Sequence, residues 1–310
     1  MTATDVTVGL MHPGSMGAAF AAQLRSKGKT VLWCPAGRSE RSRQRAEQAN
    51  IEPVASLADL LGYADVLLSL CPPAASEDVA AQVAAHGFRG TYVEANAITP
   101  QRVRNVAERL PHAVVVDGAV VGSPPVGGKS PTLYLAGPRE QGTRLEDLFA
   151  GTDVQTHLLG DDIGKASALK LAYSSYQKAS RVLAAVAYGL ADANGVSDEL
   201  LHIASKRTGS YLTETAYIPK TASRAWRWAP ELEDAADLLA ETGLPGHLMH
   251  AAAEVLRSWN EARDRSLTVS EALALLHADS DATETTTGQE PSPCQVLCTS
   301  SRSADEAINL

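Results

Sequence analysis

Residues 6–17 read Val6-Thr7-Val8-Gly9-Leu10-Met11-His12-Pro13-Gly14-Ser15-Met16-Gly17. Their apolar start predicts a short buried strand, and the alanine-rich residues that follow Gly17 predict a helix. A glycine-bearing turn between a strand and a helix N-terminus suits a dinucleotide pyrophosphate, because the backbone approaches closely and its free N–H groups favour an anion. The usual spacing is G-x-G-x-x-G, which by itself is a weak signal. Here Gly14 and Gly17 supply the second and third glycines, and His12 takes the place of the first.

Length and charge narrow the class of protein. The chain of 310 residues is long enough for roughly two domains, and its 45% share of apolar residues is normal for a soluble globular protein. A net charge of −9 argues against a general nucleic-acid binder, which needs clustered Lys and Arg. The sequence has no run near the ~18 apolar residues of a membrane helix and leaves no room for a secretion signal. We expect a cytoplasmic protein that binds neither nucleic acid nor membranes.

The chain contains four cysteines, Cys34, Cys71, Cys294 and Cys298. They form no CxxC pair of the kind that holds metals. We therefore expect reduced thiols, as in cytosolic proteins, and no bound metal.

Apolar runs alternate with helical segments through the first half of the chain. The predicted strands after the first are residues 29–34, 65–70, 91–94, 113–117, 132–136 and 154–158. The predicted helices between them are residues 39–50, 56–61 (with Ser56 as N-cap), 76–86 and 100–110. This alternation predicts βαβ crossovers, and hence an α/β fold with a Rossmann-type, doubly wound parallel sheet.

The character of the sequence changes at Gly160. Residues 164–194 are alanine-rich and predict a helix of about eight turns. Further helices are predicted at residues 197–206, 222–242, 247–265 and 270–277. We expect a dinucleotide-binding domain over residues 1–160 and an all-helical substrate and dimerisation domain over residues 161–278. The polar residues 279–310 predict a disordered tail.

The residues after the second strand bear on the choice of cofactor. An acid there commonly binds the ribose 2′-OH of NAD, whereas an arginine accommodates the 2′-phosphate of NADP. The strand ends without an acid, and Arg38, Ser39 and Arg41 offer hydrogen-bond donors. This favours NADP over NAD. The alternatives are that these arginines only solvate a surface helix, or that Glu40 turns inward.

Five segments, taken in order, resemble the β-hydroxyacid dehydrogenases, which are related to 6-phosphogluconate dehydrogenase. They are residues 8–17, 68–72, 92–100, 117–123 and 164–170. The resemblance implies that Met11, His12, Pro13, Gly14, Ser15, Met16 and Gly17 surround the cofactor pyrophosphate. It also implies that Leu70 and Cys71 run beside the nicotinamide half, that Asn96 lies near the nicotinamide ribose, and that Val121, Gly122 and Ser123 bind substrate.

The C-terminal half is similar to one subgroup of that family, whose helical domain has no known function. The similar stretches are residues 164–180, 220–228 and 243–255. This resemblance implies an oxidoreductase without naming a substrate. In the family these helices pack across a two-fold interface, so we expect a homodimer.

The resemblance implies that the long helix carries the catalytic lysine, and Lys170 is the candidate proton donor and acceptor. Hydride transfer at a carbinol carbon needs such a group, and burial in a cleft lowers a lysine's pKa into a useful range. Helical spacing puts Tyr173 and Ser174 on the same face as Lys170. Lys165 is a competitor, but a cation is disfavoured at a helix N-terminus. The structural alternative is an ordinary helix lysine with a solvated head.

The sequence departs from the family at three positions. His12 replaces a glycine, Val121 stands where the family has a substrate-binding serine, and Ser174 stands where it has an asparagine. Val121 offers no donor to a carboxylate, which weighs against a plain 3-hydroxy acid, although Ser123 lies close enough along the chain to compensate. Tyr173 is an alternative proton donor.

Three functional hypotheses follow. The first is an NADP-dependent oxidoreductase acting on a small hydroxy or keto compound. The second is reduction of C=N bonds, since relatives with this two-domain plan are imine reductases and Val121 fits a less acidic substrate. The third is a non-catalytic, NADP-binding regulatory protein.

Overall fold

The computed structural model describes residues 6–277, apart from residues 208, 210, 212, 213 and 264. The chain divides into two compact units, Met1–Arg181 and Val182–Leu310. The predicted disordered tail over residues 279–310 lies outside the described residues, as do Cys294 and Cys298.

The first unit contains one eight-stranded sheet. Its strands are β1 (Val8–Leu10), β2 (Val31–Trp33), β3 (Glu52–Pro53), β4 (Val66–Ser69), β5 (Thr91–Glu94), β6 (Val114–Val121), β7 (Thr132–Ala136) and β8 (Gln155–Leu158). They lie in the order β3-β2-β1-β4-β5-β6-β7-β8, with β1 third from one edge and the chain winding outward from it in both directions. This confirms the predicted doubly wound α/β fold.

One strand pair departs from the parallel pattern, because β7 runs antiparallel to β6. The alternation of strands and helices did not predict this reversal. Its physical reason lies in the connection: residues 122–131 join β6 to β7 without a helix, and only an antiparallel neighbour can be reached without a helical crossover.

Six helices cover the sheet before the long helix begins. They are α1 (Ser15–Ser26), α2 (Glu40–Gln48), α3 (Leu57–Tyr63), α4 (Ser76–Ala85), α5 (Pro100–Arg109) and α6 (Arg139–Phe149). The side chains of Ser39, Ser56 and Thr99 each accept a backbone N–H from the first turn of α2, α3 and α5. These caps satisfy donors that a helix leaves open, and they confirm the predicted cap at Ser56.

The two faces of the sheet have separate apolar cores. On one face α1 and α6 pack together, with the rings of Phe20 and Phe149 5.6 Å apart in an edge-to-face arrangement. On the other face α3, α4 and α5 cover Leu67, Tyr92 and Val115. Because both faces are covered, the central strands are apolar along their length, and polar side chains appear where the strands end.

Helix α7 (Lys165–Ala193) begins in the first unit and continues into the second. The second unit adds α8 (Ser197–Ser205), α9 (Ile218–Glu241), α10 (His247–Arg257) and α11 (Val269–His277). The prediction of one helix over residues 247–265 was wrong at its end. After α10 the chain forms a 3₁₀ turn, and the buried indole of Trp259 donates to the carbonyl oxygen of Ala272 at 2.7 Å.

Within the described part of the chain, no helix combines the length and the apolar character needed to cross a bilayer.

Candidate cofactor and active site

The turn between β1 and α1 has the close contacts expected of a pyrophosphate loop. A Cβ atom on Gly17 would lie 2.5 Å from the carbonyl oxygen of His12, so only glycine lets the helix approach the turn this closely. A Cβ on Gly14 would meet no atom within 4 Å, which leaves the outer side of the turn open. These two glycines have the geometry of the third and second glycines of the dinucleotide fingerprint, one for helix packing and one for access by the phosphate.

The other residues of the turn divide between core and surface. Met11 and Pro13 are buried, and the backbone N–H of Met11 donates to the carbonyl oxygen of Leu68 at 3.1 Å, which joins the turn to β4. Met16 is half-buried against the core, and Ser15 is exposed at the first position of α1. The first turn of α1 contains no acidic residue, so its N-terminus stays favourable to an anion.

Two polar atoms near this turn are buried without a hydrogen-bond partner among the described residues, Nδ1 of His12 and Nε of Arg38. Burial, and then the charge of Arg38, lowers the pKa of His12 to about 4, so the imidazole is neutral at pH 7. Burial also lowers the pKa of Arg38, although an arginine stays charged. Unpaired buried polar atoms are uncommon in folded proteins, and a bound ligand is one way to satisfy them.

The residues after Arg38 form the start of α2. Ser39 is exposed, and its hydroxyl caps α2 by accepting the backbone N–H of Ser42 at 3.3 Å. Glu40 is exposed and accepts a hydrogen bond from Gln44 one turn later at 3.4 Å. The carboxylate of Glu40 is therefore engaged along its own helix, and Arg38 is the half-buried charged residue at the end of β2.

Three polar residues lie side by side on the adjacent strands β4, β5 and β6. The strand register pairs Ser69 with Glu94 and Glu94 with Asp117, and all three side chains are buried. None of the three was predicted to be a site residue. The signal was present, because each is a polar residue that follows an apolar run, and ligands of doubly wound sheets bind at the carboxyl ends of the strands.

Asn96 connects this row to the loop after β4. Its Oδ1 accepts the backbone N–H of Cys71 at 2.6 Å, and its Nδ2 donates to Ser69 Oγ at 3.2 Å and to Glu94 Oε1. Leu70 and Cys71 are half-buried beside it. The structure thus brings together the residues that were predicted to lie at the nicotinamide half, namely Leu70, Cys71 and Asn96.

Asp117 anchors the beginning of α7 to the sheet. Its Oδ2 accepts the backbone N–H groups of Gly164 at 2.9 Å and of Ser167 at 3.1 Å, and its Oδ1 accepts the Ser167 hydroxyl at 2.6 Å. A carboxylate at a helix N-terminus is favoured both by these donors and by the helix dipole. One turn further along α7, Lys170 Nζ donates to the carbonyl oxygen of Val120 at 2.7 Å.

The predicted substrate segment lies directly after the carbonyl that Lys170 contacts. Val121 is half-buried at the end of β6, and Ser123 is exposed in the loop that follows. Gly122 has a φ of 123°, and a Cβ there would lie 3.0 Å from Cα of Pro131, so this corner requires glycine. Lys170 is therefore brought to the residues that were predicted to bind substrate.

The other candidates on α7 have different environments. Ser174 is buried and its hydroxyl donates to the carbonyl oxygen of Lys170 at 2.6 Å, a bond within the helix. Tyr173 is 37% exposed, and Gln177 reaches its hydroxyl at 3.5 Å. Lys165, the competitor of Lys170, is half-exposed in an ion pair with Asp162 at 2.7 Å. Of the two lysines, Lys170 is the one that contacts the sheet.

Two family models match this chain. Residues 7–157 match the NAD binding domain of 6-phosphogluconate dehydrogenase, and residues 191–259 match a domain of unknown function, DUF1932. Among curated proteins, an uncharacterised 28.5 kDa protein of Methanothermus fervidus is 25% identical over 179 residues, which cover 58% of this chain and 68% of that protein.

Solved structures with the same fold include two kinds of enzyme. A reductive aminase from Aspergillus terreus, in complex with NADPH and ethyl levulinate, has a TM-score of 0.67 at 21% identity, covering 87% of this chain and 99% of that one. An imine reductase from Pseudomonas sp. has a TM-score of 0.65 at 17% identity, covering 88% and 100%. A conserved protein of unknown function that resembles 3-hydroxyacid dehydrogenases has a TM-score of 0.56 at 23% identity, covering 83% and 99%.

These matches confirm the resemblance that the five sequence segments indicated. The glycine turn lies within the first match, and the end of α7 begins the second. Residues 7–157 therefore form an NAD-binding domain of the 6-phosphogluconate dehydrogenase type, residues 191–259 fall within a DUF1932 domain, and the protein is an NAD(P)-dependent oxidoreductase.

Proposed function

We propose that the protein uses NADP to transfer a hydride to or from a small hydroxy or keto compound, with Lys170 as the proton donor and acceptor. The observation that carries this proposal is the contact of Lys170 Nζ with the carbonyl oxygen of Val120, next to the predicted substrate segment. When bound, NADPH supplies the hydride, and the protein supplies orientation and the proton.

The residues at the cofactor turn fit a dinucleotide. The open side of Gly14 and the uncapped N-terminus of α1 suit the pyrophosphate, with Met11, His12, Pro13, Ser15, Met16 and Gly17 shaping the turn. Arg38 and Ser39 suit the 2′-phosphate, because the strand end lacks an acid and Arg38 carries an unpartnered buried Nε. This supports NADP over NAD, and Leu70, Cys71 and Asn96 complete the proposed contacts at the nicotinamide half.

Lys170 performs its proposed role from a fixed position. In reduction, its ammonium gives a proton to the substrate heteroatom as the hydride arrives at carbon, and in oxidation the neutral amine takes that proton back. Val120 orients the amine by accepting one hydrogen bond. Val121, Gly122 and Ser123 border the substrate, while Tyr173 and Ser174 extend the same helix face toward it.

A second candidate reaction is the reduction of a C=N bond. Val121 favours it, because an apolar side chain at the end of β6 has no donor for a substrate carboxylate. The fold shared with a reductive aminase and an imine reductase is consistent with this chemistry. The roles of Lys170 and of the cofactor turn are the same in both reactions.

The experiment that tests the proposal is NADPH oxidation, measured against panels of keto acids, aldehydes and cyclic imines. Turnover of a carbonyl compound supports the first reaction, and turnover restricted to imines supports the second. Tight binding of NADPH without turnover of any panel member would contradict both and favour a regulatory, NADP-binding role. An equal affinity for NADH and NADPH would contradict the proposed cofactor preference.

We also propose a cytoplasmic homodimer in which the helical domain, over residues 161–278, supplies the contact. The second unit has an apolar groove of about 430 Å³ lined by the end of α7, α8 and α9, with Ile203 65% exposed. Sedimentation tests the dimer: Ile203→Asp should weaken it, whereas Val126→Asp, at an equally exposed apolar residue of the first unit, should not. A wild-type monomer at micromolar concentration would overturn this proposal.

A further inference from the structure

Glu94 is a buried carboxylate that the proposed hydride and proton transfers do not use. It ends β5, and its relative exposure is 0%. Its Oε1 accepts the backbone N–H of Asn96 at 3.2 Å and also the Asn96 Nδ2, while its Oε2 accepts the Tyr92 hydroxyl at 3.4 Å. Both carboxylate oxygens therefore accept hydrogen bonds, and two of the three donors belong to Asn96.

The contacts with Glu94 and with the Cys71 backbone N–H select the same orientation of the Asn96 carboxamide. Because a carboxylate accepts only, the NH₂ group of Asn96 must point toward Glu94. The carbonyl oxygen Oδ1 is then left facing the backbone N–H of Cys71, which it accepts at 2.6 Å. If the carboxamide were reversed, two donors would face each other at Cys71 and two acceptors would face each other at Glu94.

We infer that Glu94 is a positioning residue: by orienting the Asn96 carboxamide it holds the Cys71 backbone amide, and with it the loop after β4. The hydrogen bonds are a property of the protein alone. The consequence for catalysis rests on the proposed function, which places this loop beside the nicotinamide. Glu94 then sets how well ordered the cofactor's reactive end is before substrate arrives.

The charges around Glu94 make this anchor sensitive to pH. Burial raises the pKa of Glu94 to about 7, with hydrogen bonds from Asn96 opposing the rise and Asp117 on β6 adding to it. The other titratable groups that interact with Glu94 are the Tyr92 hydroxyl, the Cys71 thiol and, from α5, Arg102. Protonation weakens the carboxyl group as an acceptor, so the hold on Asn96 should loosen below about pH 7.

Amide hydrogen exchange of the free protein tests the inference directly. Pro72 and Pro73 have no amide hydrogen, and the first two residues of a peptide lose their label, so Cys71 is one of only four reporting amides in a peptide spanning residues 68–75. Replacing Glu94 by methionine keeps most of the volume and removes both acceptors. We expect Glu94→Met to speed exchange in this peptide by about 10-fold, the effect of losing one charge-assisted hydrogen bond.

Two further variants separate positioning from general damage. Glu94→Gln retains one acceptor oxygen, so it should restore most of the protection, and Glu108→Gln, an exposed residue of α5, should change nothing. Asn96→Ala should speed amide exchange as much as Glu94→Met does. The double variant should exchange little faster than either single variant, because both substitutions break the same chain of contacts. Exchange at the wild-type rate in folded Glu94→Met, or in Asn96→Ala, would overturn the inference.

The pH profile provides a test that does not depend on the methionine variant folding. The wild-type protection factor of the 68–75 peptide should fall as the pH is lowered from 8 to 6, and Glu94→Gln should show no such fall. Identical profiles would overturn the inference. Measuring the NADPH dissociation constant of the same proteins separates the two proposals: wild type that fails to bind NADPH contradicts the proposed function, while the exchange data still decide the role of Glu94.

Discussion

The two ends of the proposed cofactor site differ in how their polar atoms are satisfied. At the adenosine end, Arg38 Nε is buried without a partner among the described residues. At the nicotinamide end, Glu94 and Asp117 are more deeply buried, yet each accepts at least three hydrogen bonds from the protein. The adenosine end, which we call the open end, has a buried polar group that a ligand can satisfy. The nicotinamide end, which we call the built end, has polar groups that the protein itself satisfies.

The difference indicates which property of the enzyme each end controls. A buried donor without a partner is costly in the free protein, and a bound phosphate or ribose repays that cost. A satisfied network gains nothing new from a ligand but fixes the geometry at which a reaction takes place. Substitutions at the adenosine end should therefore change cofactor affinity, and those at the nicotinamide end should change turnover and stability.

The largest expected effect is at Lys170. Lys170→Ala removes the proposed proton donor, so kcat should fall by about 10²- to 10⁴-fold, the range typical of a lost general acid–base group. NADPH affinity should stay within a few-fold, because Lys170 contacts the end of β6 and not the glycine turn. Lys165→Ala is the matched control and should leave kcat unchanged. Full turnover in Lys170→Ala with normal NADPH binding would contradict the proton-transfer role.

Asp117→Asn tests the built end through stability. The amide replaces one carboxylate oxygen with a donor, which faces either the two N–H groups that open α7 or the Ser167 hydroxyl. We expect the free energy of unfolding to fall by about 2 kcal/mol, the cost of losing charge-assisted hydrogen bonds at a buried site. Denaturant unfolding measures this loss. Kinetic measurements should show a lower kcat as well, because the same contacts place Lys170.

Arg38→Ala tests the open end through affinity. The dissociation constant for NADPH should rise about 10-fold, the loss of one charge-assisted contact, while that for NADH should hardly change. Fluorescence titration with both cofactors measures the difference, and Arg43→Ala, whose guanidinium donates to the carbonyl oxygen of Pro35, is the control. Equal losses for NADPH and NADH would show that Arg38 does not read the 2′-phosphate.

The smallest effect is expected at His12. The imidazole is neutral at pH 7, so His12→Gly removes no charge and restores the usual first glycine. NADPH affinity should stay the same or improve by less than about threefold, roughly 0.6 kcal/mol. Isothermal titration resolves a change of this size. A large loss of NADPH affinity would show that His12 Nδ1 contacts the cofactor.

The features that were predicted correctly from the sequence are those that depend on only a few neighbouring residues. The strands Thr91–Glu94 and Thr132–Ala136 and the cap at Ser56 were predicted correctly, because apolar runs and capping residues act over a few positions. Helix α6 was missed. Its sequence contains Gly142 and many polar residues, and the helix is stabilised by packing so close that a Cβ on Gly142 would lie 2.9 Å from a methyl group of Leu158.

The candidate site was predicted only in part, because some of its residues are neighbours in sequence and others are brought together by the fold. The glycine turn is contiguous in sequence, so its pattern was visible, and Asn96 and Lys170 were selected only through resemblance to a family. Glu94 and Asp117 were passed over as site residues, since a single polar residue after an apolar run is a weak signal until its neighbours in the sheet are known. Their register with Ser69 depends on strand order, which the local pattern does not contain.

Three features can be read from the amino-acid sequence: the alternation of strands and helices, the glycines at which the backbone must pass closely, and the lack of an acid at the end of β2. These are properties of neighbouring residues. Other contacts depend on the folded chain: Asn96 holds the Cys71 amide 25 residues away, and Asp117 and Val120 each hold a residue of α7 50 positions further on. Such pairs form because a parallel sheet gathers the ends of distant strands at one edge, where buried polar groups must find partners in each other.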